Sequence, residues 1–236
     1  MIYQIRAHQI IVADWRTQSI DNSGLVIYDP EYDEPGAFDD IERIRPCDHT
    51  ALAVFCDPFT VDSVIVSSLC SGWNFRFLLT LDGTSSWYTP GRPLLRSKHC
   101  VVFGRFDYDK QGGIVPDGKI RNSVTTWNSR GVYQRKSVRG KQLSTVETTN
   151  YSQMKKWHKH QKPIEWITAI IGCTGAKTVI DLYGGSCGSI IACENIGVIC
   201  TCYEIDEATA ASANNAIDAI LRAPSGELFE EASNGY

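Results

Sequence analysis

Residues 179–206 read Val-Ile-Asp-Leu-Tyr-Gly-Gly-Ser-Cys-Gly-Ser-Ile-Ile-Ala-Cys-Glu-Asn-Ile-Gly-Val-Ile-Cys-Thr-Cys-Tyr-Glu-Ile-Asp. A short apolar strand over 178–181 runs into a turn rich in small residues, Gly184, Gly185 and Gly188. A helix is predicted over 189–195, stopped by Gly197, and a second apolar strand over 198–203 ends in Glu204 and Asp206. Small residues let a ligand approach the backbone, and the N–H groups at a helix start attract polar or anionic groups. A carboxylate closing the second strand can accept hydrogen bonds from ribose hydroxyls. The spacing departs from G-x-G-x-x-G, so a dinucleotide is not the first expectation.

Outward from this unit, strands and helices alternate. Strands are expected over 10–12, 25–28, 52–56, 73–81 and 99–104, and helices over 60–71, 164–171 and 208–221. Residues 33–48 are acidic with helical potential, and the last 15 residues are expected to fray. The fold class is α/β, a Rossmann-like, mostly parallel sheet with helices on both faces and an irregular basic insertion. In such sheets ligands sit beyond the carboxyl ends of the strands. Asp29 and Asp181 both follow such ends, so they are expected to share one cleft.

The chain has 236 residues, enough for a substantial core. No apolar run reaches the 18 or so residues that a membrane helix needs, and the N-terminus has no secretory pattern. Nine cysteines without a C-x-x-C pair indicate reduced thiols in a cytoplasmic protein, not a disulfide framework or a metal site. The net charge of −4 argues against nucleic acid, but its distribution reverses that argument. Residues 105–162 carry 13 Lys/Arg against 4 Asp/Glu, a basic segment on an acidic body. Such a segment can gather phosphate backbones at one face. A solvated loop region accounts equally well for the charge taken alone.

Asp29-Pro30-Glu31-Tyr32 follows the buried strand over 25–28. The lone pair of an exocyclic base amine is delocalised into the ring, which makes the amine a poor nucleophile. A side-chain oxygen and a backbone carbonyl that accept its two N–H bonds can localise the pair, and an adjacent ring can hold the base by stacking. Asp29 Oδ and the Pro30 carbonyl are the candidate acceptors and Tyr32 the stacking face. Proline fixes φ and aims that carbonyl. The alternative for so short a run is a plain turn.

Three segments, in order, carry a resemblance to the DNA methyltransferases that modify adenine N6 or cytosine N4. Asp29-Pro30-Glu31-Tyr32 resembles the family's Asp-Pro-Pro-Tyr. His158-Lys159-His160-Gln161-Lys162-Pro163 resembles its His-Pro-Thr-Gln-Lys-Pro, and 181–189 resembles its Asp-Pro-Phe-x-Gly-Ser-Gly-Thr-Thr. The order is that of a permuted class, with the catalytic tetrad ahead of the cofactor loop. The resemblance implies S-adenosylmethionine as cofactor, held by Asp181, Tyr183, Gly184, Gly185, Ser186 and Glu204. It also places Lys162 at the methionine carboxylate and Asp14 near the adenine end, with Pro163 at the first position of a helix. Cys187, where the family has a close-approach glycine, is expected to narrow the cofactor pocket.

The resemblance further divides the chain into a catalytic half (1–106), a target-recognition insertion (107–151), a cofactor-binding half (152–222) and a tail (223–236). In the insertion, Arg121, Arg130, Arg135, Lys136 and Arg139 are candidates for DNA phosphates and guanine edges, and Trp127 for stacking. DNA is the implied partner, met as a homodimer or with a second methyltransferase-like subunit, in the setting of restriction-modification. Two other readings stay open: a catalytically silent DNA-binding partner with the same fold, suggested by Glu31 and Cys187, and an enzyme making another base modification. A second Asp-Pro run, Asp57-Pro58-Phe59-Thr60, reads as a strand-to-helix turn.

Overall fold

A computed structural model describes residues 1–20, 23–31, 36–46, 51–87, 95–104, 123–127, 133–137, 146–149, 157–158 and 161–222. For 81–87, 95–97, 123–127, 133–137, 146–149, 165 and 173 it describes the backbone alone. In chain order the elements are β1 (Ile2–Ile5), β2 (His8–Val12), β3 (Leu25–Tyr28), β4 (Ala51–Cys56), α1 (Val61–Cys70), β5 (Phe75–Trp87) and β6 (Leu95–Gly104). Then come β7 (Ser123–Trp127), β8 (Tyr133–Ser137), β9 (Val146–Thr149), α2 (Ile164–Thr174), β10 (Thr178–Asp181), α3 (Gly188–Glu194), β11 (Ile199–Glu204) and α4 (Glu207–Arg222).

Among the described residues one sheet has nine strands, in the order β1-β2-β11-β10-β3-β4-β6-β5-β9. The five strands from β2 to β4 are parallel, and β1 and β6 flank them antiparallel. This parallel centre explains the sequence. A parallel strand is covered on both faces and reads as a continuous apolar run, as Leu25–Tyr28 and Ala51–Cys56 do. Alternate side chains go to opposite cores. Leu25, Ile27, Ala53, Phe55 and Val179 pack with α2, α3 and α4 on one face. Val26, Tyr28, Val54 and Ile180 pack with Val64 of α1 and with Ile41 of a 3-10 turn (Asp39–Arg43) on the other. Each fully buried aliphatic side chain contributes about 1.5–3 kcal/mol to this arrangement.

The helices end where local chemistry stops them. Gly175 leaves α2 at φ 65°, a left-handed conformation that glycine adopts without strain. Asp206 caps α4: its carboxylate accepts from the Thr209 N–H at 2.7 Å. Ala210, Ala213 and Ile217 then form the buried stripe of that helix.

Several expectations need correction. Residues 2–5 add a strand before the expected first one, pairing antiparallel across a two-residue turn. The acidic stretch 33–48 yields a short 3-10 turn and no α-helix among its described residues. The insertion is not wholly irregular: β7 and β8 pair as a hairpin, and β9 extends the main sheet alongside β5. Their largely polar sequences lack the apolar alternation that marks a half-buried strand. Pro163 is the residue before α2 and not its first: ψ is 126°, extended. The tail lies outside the described residues. No described helix is long and apolar enough to cross a membrane.

Candidate functional site

The site forms at the carboxyl edge of the parallel centre. β3 and β10 are neighbours in register, and the Leu182 N–H donates to the Ile27 carbonyl at 3.0 Å just past the end of β10. Asp29 therefore leaves β3 beside the start of the glycine-rich turn. The expected convergence of the two distant segments is met. The Lys162 ammonium, from the segment ahead of α2, is ion-paired to the Asp29 carboxylate. That ammonium also sits 5.3 Å from the centroid of the Phe55 ring. Trp166 of α2 supports Phe55 edge-on at 5.2 Å. Lys162, expected at a methionine carboxylate, is paired with Asp29 here and lies two residues ahead of α2.

The turn is held by its own short hydrogen bonds. The Gly184 N–H donates to the Tyr203 carbonyl at 2.7 Å, and the Cys187 N–H to the Gly184 carbonyl at 2.6 Å. A side chain at Gly184 would place its Cβ 3.0 Å from both Cys187 Sγ and the Tyr203 carbonyl, so only glycine fits without displacing a neighbour. Cys187 takes a left-handed φ of 49°, uncommon for a residue with a Cβ. Its side chain is wholly buried and packs in the main core, where the Cys202 thiol hydrogen-bonds it and, with burial, raises its pKa. The expected narrowing of the pocket by Cys187 is thus corrected: the left-handed turn points the sulfur inward, under Gly184.

Asp181 is buried at the base of the turn. Its carboxylate accepts from Ser189 Oγ at 2.6 Å and from the Tyr183 N–H at 3.3 Å. Burial pushes its pKa up to about 7; the Ser189 hydroxyl opposes the rise and the charge of Asp29 adds to it. Glu204 is the carboxylate expected to accept hydrogen bonds from ribose hydroxyls. One of its oxygens accepts from the Gly185 N–H at 2.7 Å and the other from the Asp206 N–H at 2.9 Å. It ties the turn to the end of β11, and each oxygen keeps a second lone pair for a hydroxyl donor.

Asp14 follows β2, the strand next to β11, and lies at the same edge. It caps the 3-10 turn Trp15–Thr17, and its hydrogen bond with Arg16 lowers its pKa. Tyr183 packs edge-on against Tyr28 at 5.1 Å and Trp15 at 6.1 Å. Ser186 and Gly185 line a shallow pocket of about 260 Å³ with Trp157, His158, Thr209 and Ser212. Tyr32, Arg121, Arg130 and Arg139 lie outside the described residues, and so do the side chains of Trp127, Arg135 and Lys136.

Three contributors had no signal in the sequence. Phe55 reads there as one more apolar strand residue. Ser189 meets Asp181 eight positions away, and Trp157 donates its Nε1–H to the Ser186 carbonyl at 2.9 Å from another segment. No spacing rule joins such pairs. Among the described residues no group of three or more His, Cys, Asp or Glu could hold a metal ion.

Solved structures share this fold. M1.HpyAVI, crystallised with S-adenosylmethionine (SAM), aligns with a TM-score of 0.59 at 16% identity, covering 89% of this chain and 99% of that one. The PvuII DNA methyltransferase, cytosine-N4-specific, aligns at 0.61 and 10% identity, covering 87% and 84%. TTHA0409 of Thermus thermophilus, a putative DNA modification methylase complexed with S-adenosyl-L-methionine, aligns at 0.59 and 12%, covering 91% and 96%. The chain therefore shares the Rossmann-like α/β fold of these proteins. No family model matches it. No curated protein matches it either.

Proposed function

We propose that the chain is an S-adenosylmethionine-dependent DNA methyltransferase acting on an exocyclic base amine, adenine N6 or cytosine N4. The observations that carry this reading are the Asp29–Lys162 ion pair, which ties the tetrad turn to the segment ahead of α2, and the pairing of β3 with β10, which sets the glycine-rich turn at the neighbouring parallel strand end. The fold shared with the PvuII DNA methyltransferase and with the DNA modification methylase TTHA0409 supports it.

The residues fit the cofactor. Gly185 leaves the outer side of the turn open, an added Cβ coming no closer than 3.7 Å to a neighbour, and Glu204 and the buried Asp181 offer carboxyl groups to the hydroxyls and the amino group of the cofactor. Lys162 is the cation for a carboxylate, Tyr183 and Ser186 are the flanks of the turn, and Asp14 faces the far end. When bound, the cofactor supplies an electrophilic methyl group on a sulfonium. Asp29 Oδ and the Pro30 carbonyl accept the two N–H bonds of the target amine and localise its lone pair. The amine must shed one proton as the new N–C bond forms, and the Asp29 carboxylate is the acceptor at hand. Tyr32 would stack on the extruded base. No cysteine nucleophile is needed. Among the buried thiols, those of Cys100, Cys200 and Cys202 are pushed up by burial, which makes them poor thiolates.

Within this reading, 1–106 and 152–222 are the two halves of one catalytic domain. The insertion 107–151 would bring Arg121, Trp127, Arg130, Arg135, Lys136 and Arg139 to DNA. Its charge supports that, as does the contrast with the acidic remainder. A cytoplasmic setting, a role in restriction-modification, and assembly as a homodimer or with a second methyltransferase-like subunit belong to the same reading. The silent-partner alternative keeps Glu31 as its support, while the inward Cys187 no longer favours it.

Nucleoside mass spectrometry of DNA from cells with and without the chain tests the proposal. An N-methylated base that disappears with Asp29→Ala is the expected result. Carbon-5 methylcytosine, or no modification together with no cofactor binding in calorimetry, would overturn it.

A further inference from the structure

The chain carries a second Asp-Pro turn, on the strand next to the first. β4 runs parallel to β3 with Tyr28 opposite Val54, so Asp57-Pro58 leaves the same sheet edge as Asp29-Pro30, one strand further from the glycine-rich turn. The two turns use their carboxylates differently. Asp29 reaches across to Lys162, whereas Asp57 folds back on its own turn, accepting from the Phe59 N–H at 2.9 Å and from Thr60 Oγ1 at 3.0 Å. Asp57 is 5% exposed and Phe59 is 45% exposed. A rigid, internally hydrogen-bonded turn thus holds an aromatic ring toward solvent at the edge where the site opens.

The two turns leave adjacent parallel strands of the sheet. Burial pushes the Cys56 thiol up, and the charges of both Asp57 and Asp29 add to that push, so both carboxylates bear on one side chain. The donor side is taken by the turn after β10. With the donor on the β10 side, the flank of Asp29 left for an acceptor base is that of β4, its other neighbour in the sheet. An aromatic face held with little conformational freedom is what an unstacked base lacks once it has left the duplex.

We propose that Phe59 is a wall of the target-base pocket, stacking on the extruded base on the β4 side of Asp29. The inference rests on the methyltransferase reading and names the residue that receives its substrate. Its test needs no methyl transfer. A base in a mismatch leaves the helix more easily, so a protein with a base pocket prefers a short duplex carrying one mismatched adenine over the matched duplex. Fluorescence anisotropy with both duplexes, alongside calorimetry with S-adenosylmethionine, reads that preference for wild type, Phe59→Ala, Phe59→Leu and Phe59→Trp.

Phe59→Ala is expected to lose about tenfold of the preference, the size of one base–aromatic stack. Cofactor affinity and matched-duplex affinity should stay unchanged. Phe59→Trp should keep the preference and Phe59→Leu should not. An unchanged preference in Phe59→Ala, equal behaviour of Leu and Trp, or no preference in wild type would overturn the role of Phe59. A wild-type chain that shows the preference but never methylates would instead overturn the methyltransferase reading and leave Phe59 as the base-stacking residue of a silent binder.

Discussion

Asp29 and Lys162, 133 positions apart in sequence, form one ion pair at the meeting of β3 and α2. Both side chains are largely withdrawn from water, 20% and 11% exposed. Removing one partner leaves the other charge poorly solvated, which costs more than the pair contributes.

Lys162→Met is therefore expected to lower stability by about 1–3 kcal/mol in urea denaturation. Adding Asp29→Asn should recover part of that loss, and the double-mutant cycle measures the coupling. Strictly additive losses would show that the pair is not energetically linked.

Asp181 gives a dependence on pH with a definite sign. The folded chain holds this proton up to about pH 7, because burial penalises the carboxylate. The unfolded chain releases it near pH 4. The groups facing it are Ser189 on α3, Asp29 after β3, Lys162 ahead of α2, and the thiols of Cys187 and Cys202. Protonated Asp181 thus stabilises the fold fully below about pH 4, and that contribution is lost as pH rises through about 7. Wild type should lose on the order of 2 kcal/mol relative to Asp181→Asn between about pH 5 and about pH 8, measured by urea denaturation. Parallel curves for the two proteins would contradict this.

Gly184→Ala forces a Cβ against Cys187 Sγ and the Tyr203 carbonyl. The expected loss is about 1–3 kcal/mol. Cys187→Ala should relieve part of it by removing the sulfur, whereas the carbonyl contact stays. Thermal unfolding of the three variants distinguishes these contributions.

His8 is a structural residue far from the chemistry. Its Nδ1 accepts from the Cys200 N–H at 3.1 Å, so its Nε2 carries the hydrogen toward Glu194 at 2.8 Å. His8→Leu leaves a buried N–H unpaired and should cost about 1–3 kcal/mol in urea denaturation. Cofactor affinity in calorimetry should not move.

Much of the parallel centre was legible in sequence because buried parallel strands announce themselves: Leu25–Tyr28 and Thr178–Asp181 were placed to the residue. β1 was missed because an exposed edge strand with Gln4 and Tyr3 carries little pattern. The convergence of Asp29 with the glycine-rich turn followed from a rule about strand ends. What lay on Asp29 did not, since the reach of Lys162 depends on how α2 packs. The burial of Cys187 was illegible for a similar reason. A residue code gives the presence of a sulfur, but the sign of φ decides which side of the turn it occupies.

The sheet order has a consequence for how the molecule is built. β2 and β3 are successive along the chain, yet β11 and β10 lie between them. The first six strands therefore emerge from synthesis with a gap two strands wide between β2 and β3, whose facing backbone edges have no partner at that stage. The gap closes only when residues 178–204 arrive and wedge in, so assembly is dominated by contacts between remote parts of the polypeptide, which slows folding. A nascent chain stalled before that point presents two open edges suited to chaperone capture or aggregation.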